Sequence, residues 1–439
     1  MGRGPLPRFR TYSQPATYGG MVRDLFTGRA ARGDDIRRFE AAVARLAGTG
    51  FAIAMPQARI GIYMAVRALI EPGQRVILSP YTIYDVVNMV ICAGGIPVFA
   101  DIERETCNLD LAQVDALMDS RTGAVLATHL HGMAMDIEPL AKACHDRDVA
   151  VVEDAAQALG ARVRGKAVGS AGDAGVYSFG LYKNVNAFYG GIVVTDRADL
   201  HARLAGEMAA WPTQRIRPLM RRVGYGAFTE ILTWPPVFRA LPFHVFRSAY
   251  LHDIEALNRR VREENNPAMK RQLAPGALRR LLPAQARLAV DGLFAIERDF
   301  QARLSFASQY HDGLADIDDL LLPPMRTDGS HVYVQYPVQY ADRTALVKHM
   351  LRRGCDIAPQ HMRNCADLEC FAEFHRDCPN ARRTADETIV LPSYAKYDMD
   401  HVLRNIRAIR EFFGKDHSGR TSGPHTGALK GQSATAPSR

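Results

Sequence analysis

Asp154 and Lys183 stand twenty-nine positions apart, on either side of a glycine-rich connection. Residues 149–153 form an apolar run that ends on the acidic pair Glu153–Asp154. A second run, residues 175–179, carries Ser178 and delivers the chain to Lys183. A third, residues 192–195, follows the turn at Gly190–Gly191. Short β-branched runs bounded by glycine read as buried strands. A carboxylate at one strand end and a lysine beyond the next are what a pyridoxal phosphate enzyme requires. The lysine amine forms a Schiff base with the cofactor aldehyde, and the carboxylate keeps the pyridine nitrogen protonated so that the ring accepts electrons.

One Asp and one Lys would fit many α/β enzymes, but the surrounding residues narrow the choice. EDAAQALGA at 153–161, the turn Gly169-Ser170-Ala171-Gly172-Asp173-Ala174-Gly175, Ser178-Phe179, Lys183 and the paired glycines 190–191 closely resemble the DegT/DnrJ/EryC1/StrS aminotransferases. The resemblance runs with gaps from about residue 39 to 413. It implies an α/β chain of fold type I: a mostly parallel large-domain sheet plus a smaller C-terminal α/β domain. It further implies a homodimer with active sites at the subunit interface. The implied activity transfers an amino group from glutamate or glutamine to a keto group of a nucleotide-linked sugar, in a pathway to surface polysaccharide or another glycoconjugate.

Site residues carry over position by position. Lys183 would hold the cofactor and shuttle the proton, and Asp154 would pair with the pyridinium. Gln157 would lie near the ring. Ser178 matches a phosphate-binding serine. Gln57-Ala58-Arg59 opens a helix where relatives have a Ser-Gly-Thr-like sequence, so the Ala58 amide and the Arg59 guanidinium are phosphate candidates. Tyr84 is a candidate ring-stacking residue, although the usual aromatic position aligns with Ile83. Arg280, His331 and Tyr333 are candidate substrate contacts. This chain departs from the family where Tyr189 replaces a glutamate and Leu278 replaces an asparagine that reaches the partner's phosphate.

Two other readings compete. One is different pyridoxal phosphate sugar chemistry, such as a dehydratase, against which Lys183 counts. The other is a non-catalytic regulatory or membrane-associated protein that keeps the fold. His129 and His131, and the set His361, Cys365, Cys370, His375 and Cys378, invite a metal reading. The first pair aligns with the family's strand-end His-Leu-x-Gly and the second set lacks the paired CxxC spacing of common zinc sites, so no metal is expected.

The elements that must position these residues follow from hydrophobic periodicity. Asp34 or Asp35 caps a helix with Ile36, Phe39, Val43, Leu46 and Ala47 on one face. A second helix spans residues 60–69. Strands at 75–78, 97–100, 124–128 and 149–153 alternate with helical stretches, which argues for a covered parallel sheet. Strand-like rhythm returns at 331–338, followed by a helix at 343–353. The expected organisation is an N-terminal arm (1–20), a large cofactor-binding domain (21–260), a small domain (261–413) and a disordered tail (414–439). Residues 211–250, rich in Arg, Pro and aromatics, stand out as an insertion suited to a membrane surface, a dimer contact or a lid. At 439 residues, with seven scattered cysteines and a net charge of +8, the chain is expected to be cytoplasmic. Its charge suits anionic partners or the inner membrane face rather than nucleic acid.

Overall fold

Short β-branched strands alternating with amphipathic helices build a seven-stranded sheet. The computed structural model describes residues 4–13, 15–254 and 266–415. The first ten strands are β1 Phe51–Met55, β2 Arg75–Leu78, β3 Tyr81–Thr82, β4 Ile96–Phe99, β5 Thr122–Thr128, β6 Ala150–Asp154, β7 Arg162–Val163, β8 Lys166–Ala167, β9 Ala174–Ser178 and β10 Gly191–Thr195. The sheet order is β1-β10-β9-β6-β5-β2-β4. Only β10 runs against its neighbours. The α/β fold with a mostly parallel sheet is therefore as expected.

Period-two alternation sends neighbouring strand residues into different cores. Val76, Leu78, Leu126 and Val152 pack with the helices Ala58–Leu69 and Tyr84–Cys92. Ile77, Val125 and Val151 pack on the opposite face with the helices Leu111–Leu117 and Ile137–His145. Both faces are covered, as a parallel sheet requires. The parallel strands deliver Thr128, Asp154 and Ser178 to one edge of the sheet.

Four further strands follow: β11 Tyr336–Gln339, β12 Ala358–Pro359, β13 Arg363–Asn364 and β14 Thr388–Leu391. β11, β14 and β12 form a small antiparallel sheet. It packs with the helices Ile296–Leu314, Arg343–Arg352 and Met399–Phe412 around Tyr310, Tyr336, Val338, Leu346 and Ile409. The expected boundary at 260–261 lies outside the described residues. The helix Pro283–Leu293 still packs on Asp35–Ala47 in the large unit, through Phe39, Val43, Ala286 and Ala289. The small-domain core is built from the next helix onward, joined by Leu6, Phe238 and Phe243 from earlier in the chain. The expected strand at 331–338 is shorter than its apolar pattern suggested. Tyr333 has φ +46°, which an extended strand cannot absorb, so only residues 336–339 pair in the small sheet.

The N-terminal stretch is packed, not loose. Leu6 is buried in the small-domain core, and Arg8 grips Asp356 through its backbone N–H (2.8 Å) and its guanidinium (2.6 Å). Tyr394 Oη donates to the Pro7 carbonyl at 2.8 Å. Residues from 15 onward form the helix Pro15–Phe26. The tail from residue 416 lies outside the described residues. Residues 211–250 are largely helical, as Ile216–Leu232, Pro235–Ala240 and Pro242–Leu251. Pro235 and Pro242 sit at first helical positions, where the missing N–H costs nothing, so they divide the segment into pieces without unfolding it.

Gly191 sets a close backbone approach at the site. A Cβ there would lie 2.4 Å from the Ala58 nitrogen and 2.6 Å from its Cα. Both contacts are backbone, so β10 or the helix start must move. Gly191→Ala is expected to lower stability by about 1–3 kcal/mol and to weaken cofactor binding, measured by urea unfolding and cofactor titration.

Candidate active site

Asp154 is buried at the end of β6. Its Oδ1 accepts one hydrogen bond, from the Ala156 N–H at 3.0 Å. Burial pushes its carboxyl up from the usual range, while the Ala156 N–H and the charge of Lys183 pull the other way. A buried carboxylate with so little compensation favours a cationic partner.

Glu153, one residue earlier, faces the opposite side and is fully committed. It accepts the backbone N–H groups of Gly169 (2.8 Å), Ala171 (2.7 Å) and Gly172 (2.9 Å). His129 lies 3.0 Å away through Nε2. Because His129 Nδ1 accepts the Met135 N–H at 3.0 Å, Nε2 must carry the proton and donate to Glu153. Burial alone would push the Glu153 carboxyl up, but these donors outweigh it and hold it below the usual range.

Lys183 is partly buried in the loop after β9, and its N–H donates to the Gly180 carbonyl at 3.0 Å. A Cβ on Gly180 would sit 3.7 Å from Ser178 Oγ and 3.8 Å from Lys183 Cγ, so the serine hydroxyl and the lysine stem flank the same glycine. The loop is anchored from behind. Asn186 Nδ2 donates to Ser13 Oγ at 2.7 Å, and Lys396 Nζ donates to the Thr11 (2.8 Å) and Ser13 (2.6 Å) carbonyls. The N-terminal stretch thus ties the lysine loop to the small domain.

Ala58 and Arg59 open their helix after Gln57, whose side chain makes no capping bond. Their amides have no acceptor inside the helix and form an anion-binding start. The Arg59 side chain pairs with Asp85, which also accepts from Lys270 Nζ at 2.7 Å. Burial pushes the Asp85 carboxyl up, but the Lys270 hydrogen bond and the Arg59 charge prevail and hold it below the usual range. Lys270 Nζ also lies 5.6 Å from the centre of the Tyr84 ring. Asp85 and Lys270 had no motif to announce them, because their roles arise only where two helix starts meet residues 266–282.

Gln157 Oε1 accepts the His131 N–H at 2.9 Å, which leaves its NH₂ group as the end able to meet a ligand. The three expected substrate contacts differ in exposure. Arg280 is exposed, and its main chain pairs with residues 212–214. His331 and Tyr333 are fully buried, with ring centres 3.7 Å apart. His331 Nδ1 accepts the Tyr333 N–H at 3.1 Å, and Tyr333 Oη accepts the Arg326 N–H at 2.7 Å. These two rings serve the connection between domains, where residues 330–332 pair with residues 132–134. The backbone at Tyr333 is left-handed, with φ +46°, and both rings are buried there. Tyr189 replaces the expected acid and hydrogen-bonds to the Pro218 carbonyl at 3.2 Å, while Leu278 packs on the large-domain core. The cysteine and histidine set is likewise structural. Cys365 and Cys378 are buried in the large-domain core, and His375 Nδ1 lies 2.9 Å from the Ala366 carbonyl.

These residues suit pyridoxal phosphate. Asp154 would meet the ring nitrogen, Lys183 the aldehyde carbon, and Ser178 with the Ala58–Arg59 amides the phosphate. The chain matches the DegT/DnrJ/EryC1/StrS aminotransferase family over residues 20–227 and 245–410. It therefore belongs to that family of pyridoxal-phosphate-dependent aminotransferases. The break between the matched spans falls within the inserted helices. The chain is 25% identical over 401 residues to the spore coat polysaccharide biosynthesis protein SpsC of Bacillus subtilis, covering 88% of this chain and 92% of that one. It is 27% identical over 381 residues to a UDP-N-acetyl-3-dehydro-alpha-D-glucosamine 3-aminotransferase of Acidithiobacillus ferrooxidans, covering 86% and 88%. The solved structure of S. venezuelae DesV in complex with a ketimine intermediate matches with a TM-score of 0.69 at 25% identity, covering 90% of this chain and 94% of that one.

Glu153→Gln would set an amide NH₂ against backbone donors, and is expected to cost about 3 kcal/mol at neutral pH. Glu153 has a lowered pKa in the fold, so its stabilisation is complete above the ordinary glutamate range. It fades as the pH falls through the lowered value. The difference between wild type and variant in urea unfolding should therefore shrink in acid.

Proposed function

We propose that this protein transfers an amino group from glutamate or glutamine to the keto group of a nucleotide-linked sugar. The observation that carries this reading is the placement of Asp154, buried with a single hydrogen bond and within electrostatic reach of Lys183. Both lie on the sheet edge that also presents Ser178 and the open helix start at Ala58. The sugar part rests on relatives whose names specify such substrates, among them the GDP-perosamine synthase of Caulobacter vibrioides, 36% identical over 170 residues covering 38% of this chain and 46% of that one. A homodimer with its sites at the interface is part of the same proposal.

When bound, the cofactor supplies a ring that accepts electrons from the donor's α-carbon. Asp154 holds the ring nitrogen's proton, because a buried carboxylate is stabilised by a cation against it. Lys183, once its amine is released, would move the proton from the donor α-carbon to the cofactor's aldehyde-derived carbon, and in the second half-reaction from that carbon to the acceptor carbon. The Ala58 and Arg59 amides and the Ser178 hydroxyl fix the phosphate. Gln157, oriented by the His131 N–H, bounds the ring, and the N-terminal stretch keeps the lysine loop from drifting.

The test is a donor half-reaction with cofactor-loaded protein. Glutamate or glutamine should convert the visible band to the amino form of the cofactor and yield one equivalent of 2-oxo acid; a nucleotide-linked keto sugar should then restore the band. A band unchanged by either donor would overturn the reading. Lys183→Ala should lose the lysine-linked band while the apoprotein unfolds normally. Asp154→Asn should slow the half-reaction by about 10²-fold, more than Asp154→Glu does.

A further inference from the structure

Helix Ile216–Leu232 has two faces. Leu219, Val223, Gly226 and Thr229 are buried, with Leu219 and Val223 packing on Leu181 and Phe188 beside the lysine loop. The opposite face, at intervals of three and four, reads Arg217, Arg221, Tyr225, Phe228 and Ile231, all exposed. The apolar end continues past the helix. Phe228 is 58% exposed, Ile231 59%, Trp234 55% and Leu241 64%, with Val245 beyond. Soluble surfaces rarely leave so many large apolar side chains together without a partner.

The charge around this face is one-sided. Residues 211–251 contain six arginines and one acidic residue, Glu230. Glu230 is already engaged by Arg10 (3.2 Å) and Lys396 (3.0 Å). Arg215, Arg217 and Arg221 are exposed and form no ion pair among the described residues. A second copy of this face would bring the same arginines and no unengaged carboxylate to receive them. An anionic lipid surface supplies phosphates for the arginines and an acyl boundary for Phe228, Ile231, Trp234 and Leu241. Among the described residues no helix is long and apolar enough to cross a membrane, so the contact would be peripheral.

We infer that the face formed by residues 215–245 docks this protein onto an anionic phospholipid bilayer, arginines on the headgroups and the Phe228–Leu241 end inserted. This attachment is independent of the proposed transamination. It would hold an active site fixed to the same helix close to the membrane, because the buried side of the helix rests on the lysine loop.

The chain's two tryptophans give a direct readout. Trp211 is buried, whereas Trp234 lies on the proposed face. Cofactor-loaded protein is mixed with phosphatidylcholine vesicles, with and without phosphatidylglycerol. The expected result is a blue shift of tryptophan emission and co-sedimentation with the phosphatidylglycerol vesicles alone. Arg217→Gln/Arg221→Gln and, separately, Phe228→Ser/Ile231→Ser should each reduce partitioning about tenfold or more. Retained cofactor absorbance would show that each variant is folded; if the apolar variant fails to fold, the arginine pair decides. Absence of binding to phosphatidylglycerol vesicles, or binding unchanged by a folded variant, would overturn the inference. So would loss of self-association in vesicle-free solution on Phe228→Ser/Ile231→Ser, which would assign the face to a second copy.

Discussion

Two adjacent carboxylates buried at the end of β6 impose the constraint on which the rest of the site depends. Side chains alternate across a strand, so Glu153 and Asp154 must meet different surroundings. Glu153 meets three backbone N–H groups and a histidine, which together replace the water it lost. Asp154 meets one N–H, and its carboxyl is pushed up by burial. The fold thus satisfies one acid internally and leaves the other dependent on a cation brought from outside. The satisfied acid also holds the turn at residues 169–172, and that turn leads into β9, Ser178 and Lys183.

A second constraint acts on backbone spacing. Gly191 lets β10 lie against the first residue of helix Ala58–Leu69, and Gly175 passes so close to Gly169 that a Cβ there would come within 1.9 Å of its carbonyl oxygen. These approaches bring the anion-binding helix start and the lysine loop to one edge of the sheet. The N-terminal stretch completes the arrangement from the small-domain side, since Lys396 binds its carbonyls while Ser13 receives Asn186. A chain of hydrogen bonds thereby links the small domain to the loop that carries Lys183.

The inserted helices extend this link to the surface. Their inner face is part of the support for the lysine loop, and their outer face is apolar and basic. The family match breaks between residues 227 and 245, inside this segment, while most of helix Ile216–Leu232 lies within the matched span.

The strand-end chemistry was legible in the sequence because it is local. Asp154, Ser178 and Lys183 each sit at the end of an apolar run whose length and glycine borders define a strand, and the parallel sheet follows from the same alternation. The helix Asp35–Ala47 was readable from its periodicity, although Asp34 makes no side-chain cap, and the helix start at Ala58 from the resemblance. Other features depended on partners distant in the chain. Arg59 pairs with Asp85, an acid that also binds Lys270 from residues 266–282. His331 and Tyr333 are buried at a left-handed turn that an apolar pattern does not reveal. Residues 7–13 are held by Asp356, Tyr394 and Lys396, more than three hundred positions away. The sequence alone determined which groups could do the chemistry and which strands would carry them, since both depend on neighbours in the chain. Only the tertiary structure decided which charges neutralise one another and which rings are withdrawn from solvent, because burial and ion pairing are set by chain crossings that local pattern cannot specify.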